Sequence, residues 1–501
     1  MSLNKYLVPD VEIVSSGPEK FRPQYHYTAH QGWMSDPNGM VFQDGLFHLC
    51  YQHDAYDKVF GAMSWGHAVS KDMLHWQELP NVIEPDEQLG MCFSGCLVVD
   101  KDNRSGLGEN TLVGFYTSEL PKQQQSMFYS RDGGRTFTKY SNNPVIANTE
   151  GMSSDFRDPK VMWFAQKSLW VMAVAGPERI EFWSSPNLID WRFESCFGEG
   201  VGIHGCEWEC PDLRYLPIDG DTNHRAWVLL VSVNPGGPNG GCGTQYFIGD
   251  FLEINGKLTF TSKQRSVKWL DWGTDNYAGV GWSNLEDSPY GDCLFTIGWM
   301  NNWNYAYKTP TSQWRGVMTM IRELKIETIG GVIALTSQPA PVYKQLLGSE
   351  LPNVRRIRLN QTLRIGTSLS ASRLQAEFKN IGTSDIGIEL ANDLGEVTRI
   401  GYSQENGHFY IDRTESGNED FAEGFAGVHF AKTDHKYQTL KIEIFIDRCS
   451  IEVFFNHGEY TMTELIYPEE PLSTIKPFGE AILSSVDIRK MNPIKKTTIN
   501  E

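Results

Sequence analysis

Short runs of β-branched and aromatic residues, each stopped by Gly, Asp, Asn or Pro, fill the first two thirds of this chain, as in LFHLCYQ (46–52), TLVGFYTS (111–118), SLWVMAVAG (168–176) and AWVLLVSV (226–233). Such punctuation specifies strands, and windows with the 3.6-residue period of an amphipathic helix are scarce. An all-β fold follows. A looser repeat overlies the pattern: AVSKDMLHW (68–76), FYSRDGGRTF (128–137) and FWSSPNLIDW (182–191) each pass from a strand through a polar turn to an aromatic. Trp76, Phe137 and Trp191 recur at about 55–60 residues, against about 40–50 for familiar four-stranded propeller repeats. The expected architecture is a β-propeller, with an irregular β-sandwich and coincidental turns as the competing reading.

The chain has 501 residues, too many for one ordinary core. Near TSQPAPVYKQLLGSE (336–350) two prolines and a polar stretch interrupt the text, and new strands begin at about Val354. The expected division is a propeller over 1–340, a linker over 341–353 and a sandwich over 354–501. The last segment alternates polar and apolar residues in LQAEFKN, IGIEL, KIEIFID and IEVFF, as two packed antiparallel sheets require.

Charge and composition narrow the function. A formal charge of −18 disfavours nucleic acids and anionic membranes, which are gripped by clustered Lys and Arg. No apolar run, Trp227 to Val233 included, is long enough to span a bilayer. The start, MSLNKYLVPDVEIV, has no apolar signal region. Nine scattered cysteines do not resemble a disulfide framework and suit a reducing, cytoplasmic setting, or a secreted one if a signal segment has been removed. The Cys92/Cys96 and Cys206/Cys210 spacings have no second pair to complete a zinc pattern, so these thiols read as small buried residues and no metal is expected.

Chemistry concentrates in WMSDPNG (33–39), FRDPKV (156–161) and WECPDL (208–213), each with a carboxylate beside or near a proline at a strand edge. Proline fixes its own φ and biases the preceding residue toward extended backbone, which would aim the carboxylate. Loops at one end of a propeller converge on its axis, so residues distant in sequence can meet there. Cleaving a glycosidic bond needs one carboxylic acid and one carboxylate. Glu209, in a partly apolar segment, suits the acid whose pKa is raised; Asp36, in a polar Gly-closed turn, is expected to stay ionised and attack. Asp158 adjoins Arg157, which is expected to lower its pKa and leave it to bind sugar hydroxyls. A structural ion pair is the plain alternative for those two.

These three blocks, in this order, closely resemble those of glycoside hydrolase family 32. The resemblance runs along essentially the whole chain, through FSGC (93–96), QQQSMFYSRDGGRTF (123–137), TDNYAG (274–279), WMNNWNYAYKTPTSQWRGVMTMIREL (299–324) and DRCSIEVFFNHGE (447–459). It implies a five-bladed β-propeller followed by a β-sandwich, and a retaining exo-β-fructofuranosidase of the invertase, exo-inulinase and levanase type. The implied roles are Asp36 as nucleophile, Glu209 as acid/base and Asp158 as transition-state stabiliser. Substrate contacts are implied for Trp33, Ser35, Gln52, Trp65, Phe93, Ser94, Arg157, Asp275 and Trp303. No cofactor is called for, and the expected partner is a sugar or fructan. Ser35 stands where the family usually has Asn, Phe60 where many members have Trp, and Asn276 at a commonly aromatic position, changes that bear on the choice of water or sugar as acceptor. A fructosyltransferase, a sucrose-6-phosphate hydrolase and an inactive sugar-binding propeller are the alternatives. The sandwich is expected to pack on the propeller or to mediate a homodimer.

Overall fold

A computed structural model describes residues 19–150, 152–291, 293–352, 354–433 and 436–494; the MSLNKYLVPDVEIV start and the outer ends of both expected domains lie outside them. Antiparallel four-stranded meanders follow one another along the chain. The first is Gly32–Gln43, Leu46–Asp54, Ser64–Ser70 and Gln77–Ile83. The second is Cys92–Asp100, Thr111–Ser118, Gln124–Ser130 and Thr138–Lys139. The third is Arg157–Phe164, Leu169–Gly176, Arg179–Ser185 and Arg192–Phe197. A fourth comprises Glu207–Ile218, Asp221–Asn234, Gly243–Ile254 and Lys257–Ser262. It is bridged at Ile218 and Ile326 to a last one of Tyr277–Gly281, Leu294–Trp299, Arg322–Ile329 and Val332–Pro339.

The first strand of each meander touches the first strand of the next, and the last returns to Gly32–Gln43, so the inner strands close a ring. This is a β-propeller. Parallel pairing of Trp314–Arg315 with Gly32 and Trp33 ties the ring's end to its beginning.

The repeated turns have a common physical basis. In the first three meanders a Ser two residues before an Asp or Asn ends the third strand, and the acidic or amide side chain accepts backbone N–H groups: Asp72 from Leu74 and His75, Asp132 from Arg135 and Thr136, Asn187 from Ile189 and Asp190. Trp76 and Trp191 close two of these turns by donating Nε1–H to the carbonyls of Met73 and Leu188.

Residues 341–350, expected to be linker, are structured. Pro341 opens a 3-10 turn to Leu346 that buries Val342, Tyr343 and Leu346, and Leu347–Glu350 pairs with Ile482–Met491. Beyond them two six-stranded antiparallel sheets form a sandwich whose core includes Leu374, Phe378, Ile388, Leu390, Ile442 and Val453. Ser372–Lys379 alternates in burial as its sequence implies. Ser450–Phe455 is buried on both faces, because Phe454, with Phe445, joins the propeller core beside Met320, Ile321 and Tyr343.

Buried ion pairs complete this junction. Arg322 reaches Asp271 at 2.6 Å and Glu452 at 2.5 Å. Arg413 reaches Asp275 at 2.6 Å and Glu464 at 2.9 Å. His26 lies 2.8 Å from both Asp447 and Glu452.

Candidate active site

Asp36, Ser94, Asp158, Glu209 and Tyr277 stand at or near the beginnings of inner strands, so the ring brings them to one end of its axis. Proline explains the local geometry of the three acids. It has no N–H for the ladder, and register shifts fall between Met34 and Pro37, beside Asp158 and Pro159, and between Glu209 and Asp212 across Pro211. Such bulges re-aim side chains. Asp158 departs from the extended backbone expected before proline: its φ is +63°. Its N–H donates to Thr117 Oγ1 at 3.0 Å, and its Oδ2 accepts the N–H of Cys210 at 3.0 Å. Those bonds hold a strained conformation of the kind that persists at functional sites.

The carboxylates are linked. Ser94 Oγ donates to Asp36 Oδ2 at 2.9 Å, and Asp36 Oδ1 is buried with no partner among the described residues. The Cys210 thiol lies 3.8 Å from Asp36 Oδ2 and 3.5 Å from Asp158 Oδ2. Arg157 donates from Nε to Glu209 Oε1 at 3.2 Å, and its Nη2 reaches Glu207 at 2.6 Å and its Nη1 Asp155 at 3.2 Å. The Tyr277 hydroxyl donates to Glu209 Oε2.

Burial pushes Glu209 up to about 8 against the pull of Arg157, with Asp158 and Asp36 adding repulsion. Asp36 is also pushed up, to about 6, by burial and by Asp158, while Ser94 and Arg157 pull it down. Its turn is less solvated than the sequence suggests, but the order of the two acids is as expected. Asp158 corrects the expectation drawn from Arg157: burial outweighs the guanidinium and its pKa is raised.

An aromatic shelf borders the acids. Trp33 stacks on Trp303 at 5.7 Å and on the 44%-exposed Tyr307 at 5.3 Å, with Phe60 between Phe93 and Trp303. Ser35 is buried and accepts the indole N–H of Trp33 at 3.1 Å, so it steadies the shelf from behind. Gln52 and Trp65 are likewise buried and donate to the carbonyls of Cys92 and Phe93. A half-open cavity of about 410 Å³ adjoins Arg157 and Glu207, lined also by Glu178, Trp208 and Asn234.

Asp275 does not join this group. It is fully buried, one oxygen accepting from Tyr305 and the other from Arg413 and the Leu465 N–H, so its carboxylate serves the junction with the sandwich. Asn276 turns the same way, donating to Asp271 at 3.2 Å. Sequence reasoning overlooked Tyr277, Thr117, Tyr307 and the part played by Cys210. Tyr277, Tyr307 and Cys210 carried a signal, from their places in TDNYAG, in the 299–324 block and in WECPDL, whereas Thr117 carried none. Among the described residues no disulfide joins any of the cysteines. Among the described residues no group of three or more His, Cys, Asp or Glu is arranged to hold a metal, and no helix is long and apolar enough to cross a membrane.

The model of the glycosyl hydrolases family 32 N-terminal domain matches residues 26–339, and that of the family 32 C-terminal domain matches 344–491. The chain is 40% identical over 487 residues to a levanase of Bacillus subtilis (strain 168), covering 95% of this chain and 71% of that protein. It is 34% identical over 516 residues to an extracellular exo-inulinase of Aspergillus awamori, covering 93% of each. The crystal structure of exo-inulinase from Aspergillus awamori superposes with a TM-score of 0.84 at 32% identity, over 95% of this chain and 99% of that one. A β-fructofuranosidase from Schwanniomyces occidentalis complexed with fructosyl-erythritol gives 0.83 at 29%, over 96% and 100%.

Proposed function

Because this chain belongs to glycosyl hydrolases family 32 and is a glycoside hydrolase, we propose that it is a retaining exo-β-fructofuranosidase cleaving terminal fructosyl units from sucrose, fructo-oligosaccharides or fructans. The five meanders are then five blades, with the cleft at the end of the axis where their inner strands begin.

The observation that carries this reading is the constellation of three carboxyls at one end of the ring, Asp36 and Asp158 both beside the Cys210 thiol and Glu209 held by Arg157, with burial raising Asp36 to about 6 and Glu209 to about 8. Between these values Asp36 is ionised and Glu209 carries a proton, the combination that glycoside cleavage requires. Ser94 fixes the Asp36 carboxylate by donating to Oδ2, and that carboxylate attacks the anomeric carbon. As the glycosidic bond breaks, Glu209 gives its proton to the leaving oxygen and a covalent fructosyl ester forms on Asp36. Glu209, now ionised, takes a proton from water, whose oxygen attacks the anomeric carbon and releases fructose and Asp36. Asp158, held rigidly by Thr117 and Cys210, accepts sugar hydroxyls and steadies the developing positive charge. Half-buried Trp303 and Phe93 supply apolar faces for the ring, while Trp33, expected to touch substrate, is fully buried and backs them by stacking on Trp303.

Ser35 acts on the reaction through Trp33, since it is buried behind that ring. The lack of disulfides among the described residues favours a reducing compartment, while the Aspergillus awamori relative is named extracellular; fractionation of the native cell decides between them.

The test incubates the protein separately with sucrose, inulin, levan and sucrose 6-phosphate, following fructose and oligosaccharides by chromatography beside Asp36→Ala. Fructose release that the substitution abolishes is expected. Dominant oligosaccharide products would make the enzyme a fructosyltransferase, preference for the phosphorylated sugar a phosphosugar hydrolase, and no turnover a binding protein.

A further inference from the structure

The inner strands have a second end. Where their beginnings carry the acids, their far ends, Val98–Asp100, Val161–Trp163 and Leu213–Leu216, together with residues 282–285, line a half-open cavity of about 340 Å³. Between the two ends Lys160 donates to the Gly281 carbonyl at 2.6 Å and pairs with Asp212 at 3.3 Å, both buried.

The lining has the chemistry of a site for a neutral, hydroxyl-rich ligand. Its volume falls within the few-hundred-Å³ range of small-molecule pockets. Two polar groups more than nine-tenths buried have no partner among the described residues, the Trp170 indole N–H and the Ser283 hydroxyl, and both residues line the cavity. Unpaired polar groups at such burial are costly unless a ligand or water satisfies them. Trp163 adds a half-buried indole, with Arg104 4.3 Å over its ring, packed edge-on to Trp170 at 5.1 Å. The charges are already spent within the protein. Lys101 pairs with Asp287 at 2.7 Å, Asp100 accepts the backbone N–H groups of Arg104 and Ser105 at 2.9 Å, and Arg214 binds Asp212 and the carbonyls of Gly281 and Trp282. No excess charge is left to call for an anion or a cation. Indole faces with unpaired hydrogen-bonding groups suit sugar rings.

We propose that this far mouth of the axis is a second saccharide-binding site, which retains the fructan whose ends are cut in the cleft. The choice of fructan rests on the proposed function; the inference of a neutral saccharide rests on the cavity itself. Holding a polymer at two points raises its effective affinity without altering turnover of a small substrate.

The experiment starts from Glu209→Gln protein, which retains saccharide without cutting it. Calorimetric titration with a short inulin-type oligosaccharide is expected to give two sites per chain, and one site when Trp163→Ala or Ser283→Ala is added. Migration in gels containing inulin or levan is expected to be retarded, and less so in the same variants; Trp163→Phe, which keeps a ring in the wall, serves if Trp163→Ala fails to fold. With Glu209 intact, Trp163→Ala should raise KM for fructan about threefold or more while leaving kcat/KM for sucrose unchanged. A single site per chain, or retardation indifferent to all three substitutions, overturns the proposal. Absence of sucrose and fructan turnover in the unsubstituted enzyme would instead overturn the proposed activity, and titration with free fructose or glucose still reads the cavity.

Discussion

Two groups of buried carboxylates lie in this molecule, and they differ in their counter-charges. At the junction of propeller and sandwich, Asp271, Asp275, Glu452 and Glu464 are met by Arg322, Arg413, His26 and His429. In the cleft, Asp36, Asp158 and Glu209 have Arg157 alone, which is shared with Asp155 and Glu207. The glutamates register the contrast. Burial acts to raise both, but Arg322 and His26 outweigh it at Glu452 and hold it at about 2, whereas Arg157 fails to do so at Glu209, which stands at about 8. At Glu452 burial with adequate counter-charge makes a structural joint, and at Glu209 burial without it makes an acid that is protonated near neutrality.

The strongest way to break this comparison is to neutralise each side. Glu209→Gln and Asp36→Asn are expected to lower kcat/KM for sucrose by roughly a thousandfold or more. Above pH 8, where both acids are ionised, each substitution should raise the thermal midpoint, since each removes a poorly compensated buried charge; a fall in midpoint for both there would mean that the cleft is a joint as well. Arg322→Met leaves Asp271 and Glu452 buried and short of a partner, an expected loss of about 3–5 kcal/mol in denaturant unfolding. Its kcat per folded molecule should be unchanged, because Arg322 touches no group in the cleft.

Stability against pH should run in opposite directions for Glu452 and for the two acids Asp36 and Glu209 of the cleft. Glu452 is held below its ordinary value of 4.5, so its contribution is complete above that value and is lost as pH falls toward 2. For His26, burial opposes protonation but Asp447 and Glu452 raise it to about 9; its contribution is complete below 6.5 and is lost as pH rises through 9. Asp36 and Glu209 have raised values, so the stability they confer when protonated is lost as pH rises through 6 and 8. Thermal midpoints from pH 3 to 10 check this: the gain from Asp36→Asn with Glu209→Gln should grow with pH and level off above 8. The smallest effect is expected from Ser94→Ala, which removes a bond favouring ionised Asp36. The acid limb of kcat/KM should move upward by about half to one pH unit, a roughly three- to tenfold loss on that limb, with the alkaline limb in place.

Much of this organisation was legible in the sequence. Strand punctuation follows from side-chain shape and turn chemistry, which are local, so Ser-x-Asp turns such as Ser70 to Asp72 announce themselves. The Asp-Pro pairs and the Glu-Cys-Pro segment were legible for the same reason: proline breaks the ladder wherever the strand is placed. Asp275 was misread, because TDNYAG looks like a site block and the Arg413 that takes its carboxylate lies far away in the other domain. The contacts of Thr117 and Cys210 with Asp158 gave no local sign, because the partners lie far apart in the chain.

The sequence by itself determined an all-β chain, the places where its strands must bulge, and the identity of three acids that would be costly to bury unless used. The tertiary structure alone decided which acids share a cleft, which are neutralised by arginines from another domain, and that Arg157 loses to burial at Asp158. The reason is physical. Turn and bulge preferences depend on neighbours along the chain, whereas a carboxyl's protonation depends on solvent exclusion and on charges in space, and folding creates both.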